Sequence, residues 1–341
     1  MALALSVFAA FGAFALSRTD DSGCLSEVPS PLPAFGRGIE SVRASSAQSG
    51  RIYVTTDDRN FYVGNRERAW RWRHVAPRSP GRLYASVGER DVLFAASNAL
   101  FRSSDRGSSW HRLTCGLAVT DVAVSSPNAE TIYLATAQEV GGPKGGGLYR
   151  SVNAGKSWKR FTSFPHPYVD QAGVELVTLD PTAPRTVYIA REFGGIDYSR
   201  DGGEHWRFTR VARPGNGIYG PQVTSIALGP DHVTLWVGSR FRGVSAGTPR
   251  SGWAPRGLSG TFIGRVLADS RRTDLAYALA DGHAFRISDG GGHWQRMRGL
   301  PADIDGIIVQ QQDGTLYAWT KTAIFSSRDH GQTWTRLPDL P

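Results

Sequence analysis

Short strings rich in aromatic and β-branched residues alternate with polar turns along most of the chain, and they come in a fixed order. The most apolar string of each set reads R-I-Y-V-T at Ile52, V-L-F-A-A at Val92, T-I-Y-L-A at Ile132, T-V-Y-I-A at Val187, T-L-W-V-G at Leu235, L-A-Y-A-L at Leu275 and T-L-Y-A-W at Leu316. A second string precedes it, such as D-V-A-V-S at Asp121, E-L-V-T-L at Glu175 or S-I-A-L-G at Ser225, and a third follows, such as G-L-Y-R-S at Gly147. The third runs into a polar turn ending on tryptophan, which opens a fourth string, as W-K-R-F-T does at Trp158. Runs of this length between turn residues predict strands, and no apolar pattern at 3.6-residue spacing is long enough to predict a helix.

The tryptophans set the period. Trp70, Trp110, Trp158, Trp206, Trp253, Trp294 and Trp334 follow one another at intervals of 40, 48, 48, 47, 41 and 40 residues. Four strands per interval is the pattern of a propeller blade. Seven such units between Gly38 and Leu340 predict an all-β, seven-bladed β-propeller of four-stranded antiparallel blades over residues 38–341. Length alone would suggest two domains, but repeat chains depart from that rule.

Five of the turns share a box of the form Ser-x-Asp-x-Gly-x-Thr-Trp. They are S-S-D-R-G-S-S-W ending at Trp110, S-V-N-A-G-K-S-W at Trp158, S-R-D-G-G-E-H-W at Trp206, I-S-D-G-G-G-H-W at Trp294 and S-R-D-H-G-Q-T-W at Trp334. Blade 3 has Asn153 in place of the aspartate, blade 6 has Ile287 in place of the serine, and blades 1 and 5 have lost the box. An aspartate here accepts hydrogen bonds from backbone N–H groups of the turn, the glycine permits positive φ, and the tryptophan inserts its apolar face between neighbouring blades. Asp105, Asn153, Asp201, Asp289 and Asp329, with Trp110, Trp158, Trp206, Trp294 and Trp334, are therefore expected to be structural, and none is assigned a catalytic role. The boxes resemble the Asp-box, or BNR, repeats of sialidases, xyloglucan-type glycoside hydrolases, sortilin-like receptors and photosystem II assembly factors, over roughly nine tenths of the chain.

The net charge of +9 rests on 39 basic residues, of which only Lys144, Lys156, Lys159 and Lys321 are lysine. A basic surface suits nucleic acid or an acidic membrane, and arginine suits bidentate recognition of carboxylate or phosphate. No nucleic-acid motif accompanies the charge, so no nucleic-acid partner is expected. Arginine in place of lysine fits the coding bias of a GC-rich genome, with many of these residues on outer strands.

Residues 1–17 are apolar up to Arg18, short for a membrane span and about the length of a signal-peptide core, with Ala13-Phe14-Ala15 as a candidate cleavage site. They predict an exported chain, periplasmic or extracellular, whose first segment is either a signal peptide or an N-terminal anchor. A Ser/Pro-rich lead follows over residues 18–37. Ser22-Gly23-Cys24 resembles the end of a lipobox, but Asp21 stands where an aliphatic residue belongs, so lipidation is not expected. Two cysteines in an exported chain invite pairing. If each blade runs from inner to outer strand, Cys24 and Cys115 share one face of the disc, and a Cys24–Cys115 disulfide would pin the lead there.

Several motif matches lack their structural context. Gly243-Val244-Ser245-Ala246-Gly247 reads as a nucleophile elbow but sits in the decayed box of blade 5. Gly155-Lys156-Ser157 mimics the end of a P-loop, with Arg150 where the first glycine belongs. The eight histidines show no metal-ligand spacing, and Asp57, Asp58 and Asn60 read as a solvated loop. No metal or cofactor is expected.

Function in propellers concentrates on the face opposite the boxes, where insertions into a repeat collect. The long loops are Q-E-V-G-G-P-K-G-G-G from Gln138, F-P-H-P-Y-V-D-Q-A-G from Phe164 and V-A-R-P-G-N-G-I-Y-G-P-Q from Val211, all in blades 3 to 5. Arg191 and Arg240 follow the second strand of adjacent blades. Arg213, Arg242, His166, Tyr168 and Tyr219 lie in or beside the same loops, giving an arginine and aromatic patch of the kind that anchors interfaces. Two function classes follow. One is an exported, monomeric binding or assembly scaffold that takes a protein, acidic peptide or acidic glycan. The resemblance to photosystem II assembly factors implies a membrane-protein precursor as the kind of partner. The other is a glycoside hydrolase of the sialidase or xyloglucanase type, which needs two carboxylates roughly 5–10 Å apart, with Glu139, Asp170 and Glu192 as candidates. The Phe285-Arg286-Ile287-Ser288 string approximates the sialidase F/Y-R-I-P motif but belongs to the blade 6 box.

Overall fold

The computed structural model describes residues 38–75, 79–88, 91–125, 129–137, 146–161, 164–165, 173–191, 195–209, 222–290 and 292–341. They form seven four-stranded sheets, each an antiparallel meander of four consecutive strands. The first strand of each sheet is the inner one, and successive inner strands pack against one another around the ring. These inner strands are Ile39–Ala44, Arg82–Val87, Val119–Val124, Val174–Leu179, Val223–Leu228, Ile263–Ala268 and Gly306–Val309 in blades 1 to 7. A single 3-10 turn, Arg66–Arg68 in the decayed box of blade 1, is the only helical element among the described residues.

Alternation with a period of two gives every blade two faces, and each face is buried against a neighbouring blade. The result is seven apolar clusters, one per interface. Ile52, Val54, Tyr317 and Trp319 join blades 1 and 7, whereas Phe94, Leu100, Ile132 and Leu134 join blades 2 and 3. Each turn-closing tryptophan packs onto the blade before it. Trp110 meets Phe61 edge-on at 6.2 Å, Trp206 meets Phe161 at 6.4 Å, Trp294 meets Trp236 at 6.4 Å, and Trp70 closes the circle on Tyr317 at 5.9 Å.

The four boxes that keep the serine are built alike. The serine Oγ accepts the glycine N–H (Gly107 to Ser103 at 2.7 Å, Gly331 to Ser327 at 2.9 Å) and donates to the aspartate. The same aspartate oxygen accepts the N–H of the residue before tryptophan, 2.8 Å from Ser109 and 2.9 Å from Thr333. Asn153 occupies the same geometry, accepting from Ser157 N–H at 2.9 Å. The box glycine has φ of +89° at Gly107, and a Cβ there would lie 2.0 Å from the Phe61 ring of blade 1. The residue before it is also left-handed although it has a side chain, as at Arg106 (φ 60°), Ala154 (58°) and His330 (57°).

The ring closes without strand exchange, since every sheet is sequence-local. Blades 7 and 1 are joined instead by Ile39 N–H to Lys321 O at 2.8 Å, Gly50 N–H to Gln310 Oε1 at 2.9 Å and Trp72 Nε1–H to Pro338 O at 2.8 Å.

Candidate ligand-binding face

Because each blade is a meander with the box between its third and fourth strands, the other face carries the loops between strands two and three and between consecutive blades. The structure splits the sequence-derived arginine pair. Arg191 ends the second strand of blade 4 but is only 3% exposed, and its Nε lies 2.9 Å from Asp197 Oδ2 on the next strand. The Phe164 ring covers its guanidinium at 5.2 Å. Burial holds the Asp197 carboxyl above the usual carboxylate range, with Arg191 opposing that rise. Arg191 is thus corrected from a surface recognition residue to half of a buried ion pair, because the strand partner carrying Asp197 was not visible in its local sequence.

Arg240 and Arg242 behave differently. Both are exposed in the turn after the second strand of blade 5. Arg240 is steadied by Gln222 Oε1 at 3.2 Å and lies 5.6 Å from the ring of Phe241, which is itself 67% exposed. Gly260 N–H donates to Phe241 O at 3.1 Å, tying this turn to the loop that carries Phe262, 46% exposed. The Phe262 ring reaches the inner strand of blade 6, 3.7 Å from where a Cβ on Gly264 would stand. Phe241 and Phe262 were missed by sequence reasoning; the usable signal was S-R-F-R-G, an aromatic between arginines in a turn with no facing strand to cover it. His166, Tyr168, Arg213 and Tyr219 lie outside the described residues, as do Glu139, Asp170, Glu192 and Cys24. Cys115 follows the outer strand of blade 2 and is disulfide-bonded.

Blades 7 and 1 bring carboxylates to the same face, interleaved with cations such as Lys321 and Arg82. Burial pushes up the Glu40 carboxyl, with Arg82 opposing and Asp57 reinforcing. Asp305 is also raised by burial, against Lys321 and alongside Asp57 and Asp303. A hollow of about 600 Å3 between blades 6 and 7 is lined by Asp303, Asp305, Thr320 and Lys321. Asp58 is occupied within its own turn, accepting from Thr56 Oγ1 at 2.5 Å and Asn60 Nδ2 at 2.8 Å. Among the described residues, no group of His, Cys, Asp and Glu is arranged to hold a metal ion.

The inner strands complete the face. In six blades a β-bulge follows the start of the inner strand, at Glu40, Tyr84, Thr120, Glu175, Thr224 and Gly264. A bulge re-aims side chains and interrupts the ladder, and the free edge of one inner strand is served by its neighbour. Ser41 Oγ accepts Leu83 N–H at 3.2 Å, Asp121 Oδ2 accepts Val177 N–H at 3.1 Å, and Ser225 Oγ accepts Val266 N–H at 3.0 Å.

No family model matches the chain. A xyloglucanase of Paenibacillus sp. is 27% identical over 305 residues, 76% of this chain but 26% of the relative. Among solved structures, an ancestral GH74 enzyme superposes with a TM-score of 0.68 at 18% identity, covering 90% of this chain and 47% of that one. YCF48 from Cyanidioschyzon merolae gives 0.59 at 16% identity and is covered over 94% of its length. YCF48 bound to D1 peptide gives 0.59 at 14% identity, with 96% covered. The chain spans about a quarter of the length of the xyloglucanase that it matches. The seven-bladed fold is common to all these structures.

Proposed function

We propose that this chain is an exported Asp-box propeller scaffold that binds a protein segment or acidic ligand on its loop face. The observation that carries this reading is the Arg240-Phe241-Arg242 turn with Phe262 beside it. Two exposed guanidinium groups flanking the exposed Phe241 ring, with a second exposed ring at Phe262 on the adjoining loop, form an anchor for a carboxylate-bearing peptide. The patch runs from blade 5 toward blade 6, and Arg213, Tyr219, His166 and Tyr168 would extend it toward blades 3 and 4. That YCF48 is recorded with a bound D1 peptide supports peptide recognition by a propeller of this size.

The test is fluorescence anisotropy with an acidic peptide, a charge-neutral amide analogue and an acidic oligosaccharide. Binding of the acidic peptide should weaken with salt and fall at least about tenfold in the Arg240→Ala, Arg242→Ala double variant. Equal affinity for the neutral analogue, or no loss in the variant, rejects the site. Sequencing the N-terminus of the mature protein tests export: cleavage after Ala15 supports a signal peptide, and retention of residues 1–17 supports an anchor. A second reading, hydrolysis of a xyloglucan-type glycan, is favoured by the xyloglucanase match. It predicts release of reducing ends from xyloglucan, abolished by Glu192→Gln or Asp170→Asn.

A further inference from the structure

A hollow of about 860 Å3 opens between the outer strand of blade 6 and the box of blade 7. Its lining includes three arginines, Arg286, Arg296 and Arg298, and two glutamines, Gln295 and Gln332. The blade 6 wall is fixed by the ladder between its third and fourth strands, where Phe285 pairs with Arg296 and Arg286 with Gln295. The outer strand is only Gln295–Arg296, but Met297 N–H still donates to Ala284 O at 2.9 Å and keeps the chain attached. Met297 itself is 5% exposed and belongs to the apolar cluster between blades 6 and 7, so it anchors the two exposed arginines on either side of it. The chain then bends over Arg298–Leu300, with Gly299 left-handed at φ 83°. On the other wall, the blade 7 box is pressed against blade 6. His330 O accepts from Arg286 Nη1 at 3.4 Å, and a Cβ on Gly331 would stand 2.5 Å from Met297 Sδ.

The chemistry of this lining is cationic. Concave walls that carry one sign of charge concentrate ions of the other sign, and a guanidinium is a planar fork that holds two oxygens of one anion. Asp329, the carboxylate of the adjoining box, is turned to its own hairpin, where it accepts the N–H groups of Gln332 and Thr333 and the Thr333 hydroxyl. The volume falls in the range of roughly 300–1,000 Å3 typical of small-molecule sites, larger than a bare phosphate ion needs. Two exposed carboxamides, Gln295 and Gln332, add both donors and acceptors of the kind that hydroxyl groups require.

We propose that this hollow binds a small ligand carrying two phosphate groups on a hydroxyl-bearing body, with Arg286, Arg296 and Arg298 on the phosphates and Gln295 and Gln332 on the hydroxyls. The site is separate from the Arg240-Phe241-Arg242 turn and does not rest on the peptide reading. Pyrophosphate probes the charged part and a hexose bisphosphate the whole hollow, each followed by calorimetric titration at ionic strength matched with sodium chloride. Wild type should bind both saturably and the hexose bisphosphate more tightly. The Arg296→Gln, Arg298→Gln double variant changes only exposed side chains, so it should melt with wild type in chloride yet bind either probe at least about tenfold more weakly. The Gln295→Ala, Gln332→Ala variant should keep the pyrophosphate affinity and lose the preference for the hexose bisphosphate. The Arg240→Ala, Arg242→Ala variant should bind both probes as wild type does. Equal affinities in wild type and the Arg296, Arg298 variant, as a general ionic attraction would give, overturn the proposal, and so does the absence of saturable pyrophosphate binding in wild type. Equal affinity of wild type for the two probes overturns the hydroxyl-bearing body.

Discussion

At Asp329 the box carboxylate accepts Gln332 N–H and Thr333 N–H at 3.0 and 2.9 Å, as well as hydroxyls of Ser327 and Thr333. Burial alone would raise this carboxyl, but those hydrogen bonds outweigh it and hold it at about 2. Asp105 is lowered in the same balance, and Asp201 is lowered first by the backbone N–H of His205. A carboxylate depressed below its unfolded value of about 3.9 adds stability that is complete above that pH and lost as pH falls through the folded value. The protein should therefore lose stability between about pH 4 and pH 2. Asn153 shows that an amide fits the turn, since its Oδ1 keeps the N–H of Ser157 while its Nδ2 donates to Ser157 Oγ at 2.8 Å. Asp329→Asn should fold at neutral pH and show a smaller drop in urea midpoint between pH 7 and pH 3 than wild type. The Arg191–Asp197 pair makes a contrasting case. Asp197→Leu alone should cost about 3–5 kcal/mol by leaving a buried guanidinium without its carboxylate, whereas the Arg191→Met, Asp197→Leu double variant should cost much less. Urea unfolding of the three variants gives the coupling directly.

At the scale of the element, the hairpin and its tryptophan act as one part, clasping the preceding blade. Trp206 lies in the interface between blades 3 and 4, 6.4 Å from Phe161 and 5.3 Å from Phe164. Trp206→Ala should cost about 3 kcal/mol, the low end for a large aromatic because the ring is only partly buried. Thermal unfolding measures it, and the loss should appear without any change confined to loop-face binding. The box was legible because its chemistry is local: Ser199, Asp201 and Gly203 satisfy one another within a few residues, so their identities are written side by side. The blade count was legible because the interface tryptophans repeat in phase. Arg191 was misplaced for the converse reason, since its burial depends on Asp197 and Phe164, which lie on other segments. Phe241 and Phe262 were passed over because exposure is the absence of a covering neighbour, and nothing local marks an absence. The left-handed Arg106, Ala154 and His330 were equally hidden, their conformation being imposed by the turn and not chosen by the side chain.

The whole ring adds constraints that no single blade carries. The bulged inner strands borrow hydrogen-bond partners from their neighbours, so that residues far apart in sequence, such as Ser41 and Leu83 or Ser225 and Val266, are held together around the ring. The Cys24–Cys115 pairing, which we carry forward as a proposal, belongs to this scale too, because it would fasten the lead beside the loop between blades 2 and 3. Peptide mapping under non-reducing conditions should recover the two cysteines in one linked fragment.

Closure is the most exposed point of such a ring, because every other pair of neighbouring blades is also joined by the chain running from one to the next. Gln310, fully buried, stands at the seam. Its Oε1 accepts Gly50 N–H at 2.9 Å and Tyr317 O–H at 3.3 Å, and its Nε2 donates to Gln48 O at 3.0 Å and Ser45 O at 3.3 Å. Arg66 adds an ion pair to Asp313 at 3.2 Å. Gln310→Leu keeps the volume but strands a buried N–H and a hydroxyl and takes a donor from two carbonyls, which should cost about 3 kcal/mol or more. The damage should be local before it is global, since the apolar clusters between the other blades are untouched. Hydrogen exchange should therefore speed up first in residues 45–56 and 306–319, with the inner strands of blades 3 to 5 still protected. Uniform loss of protection across all seven blades would show instead that the ring opens as one cooperative unit and that the seam is no weaker than the interfaces made by the box tryptophans.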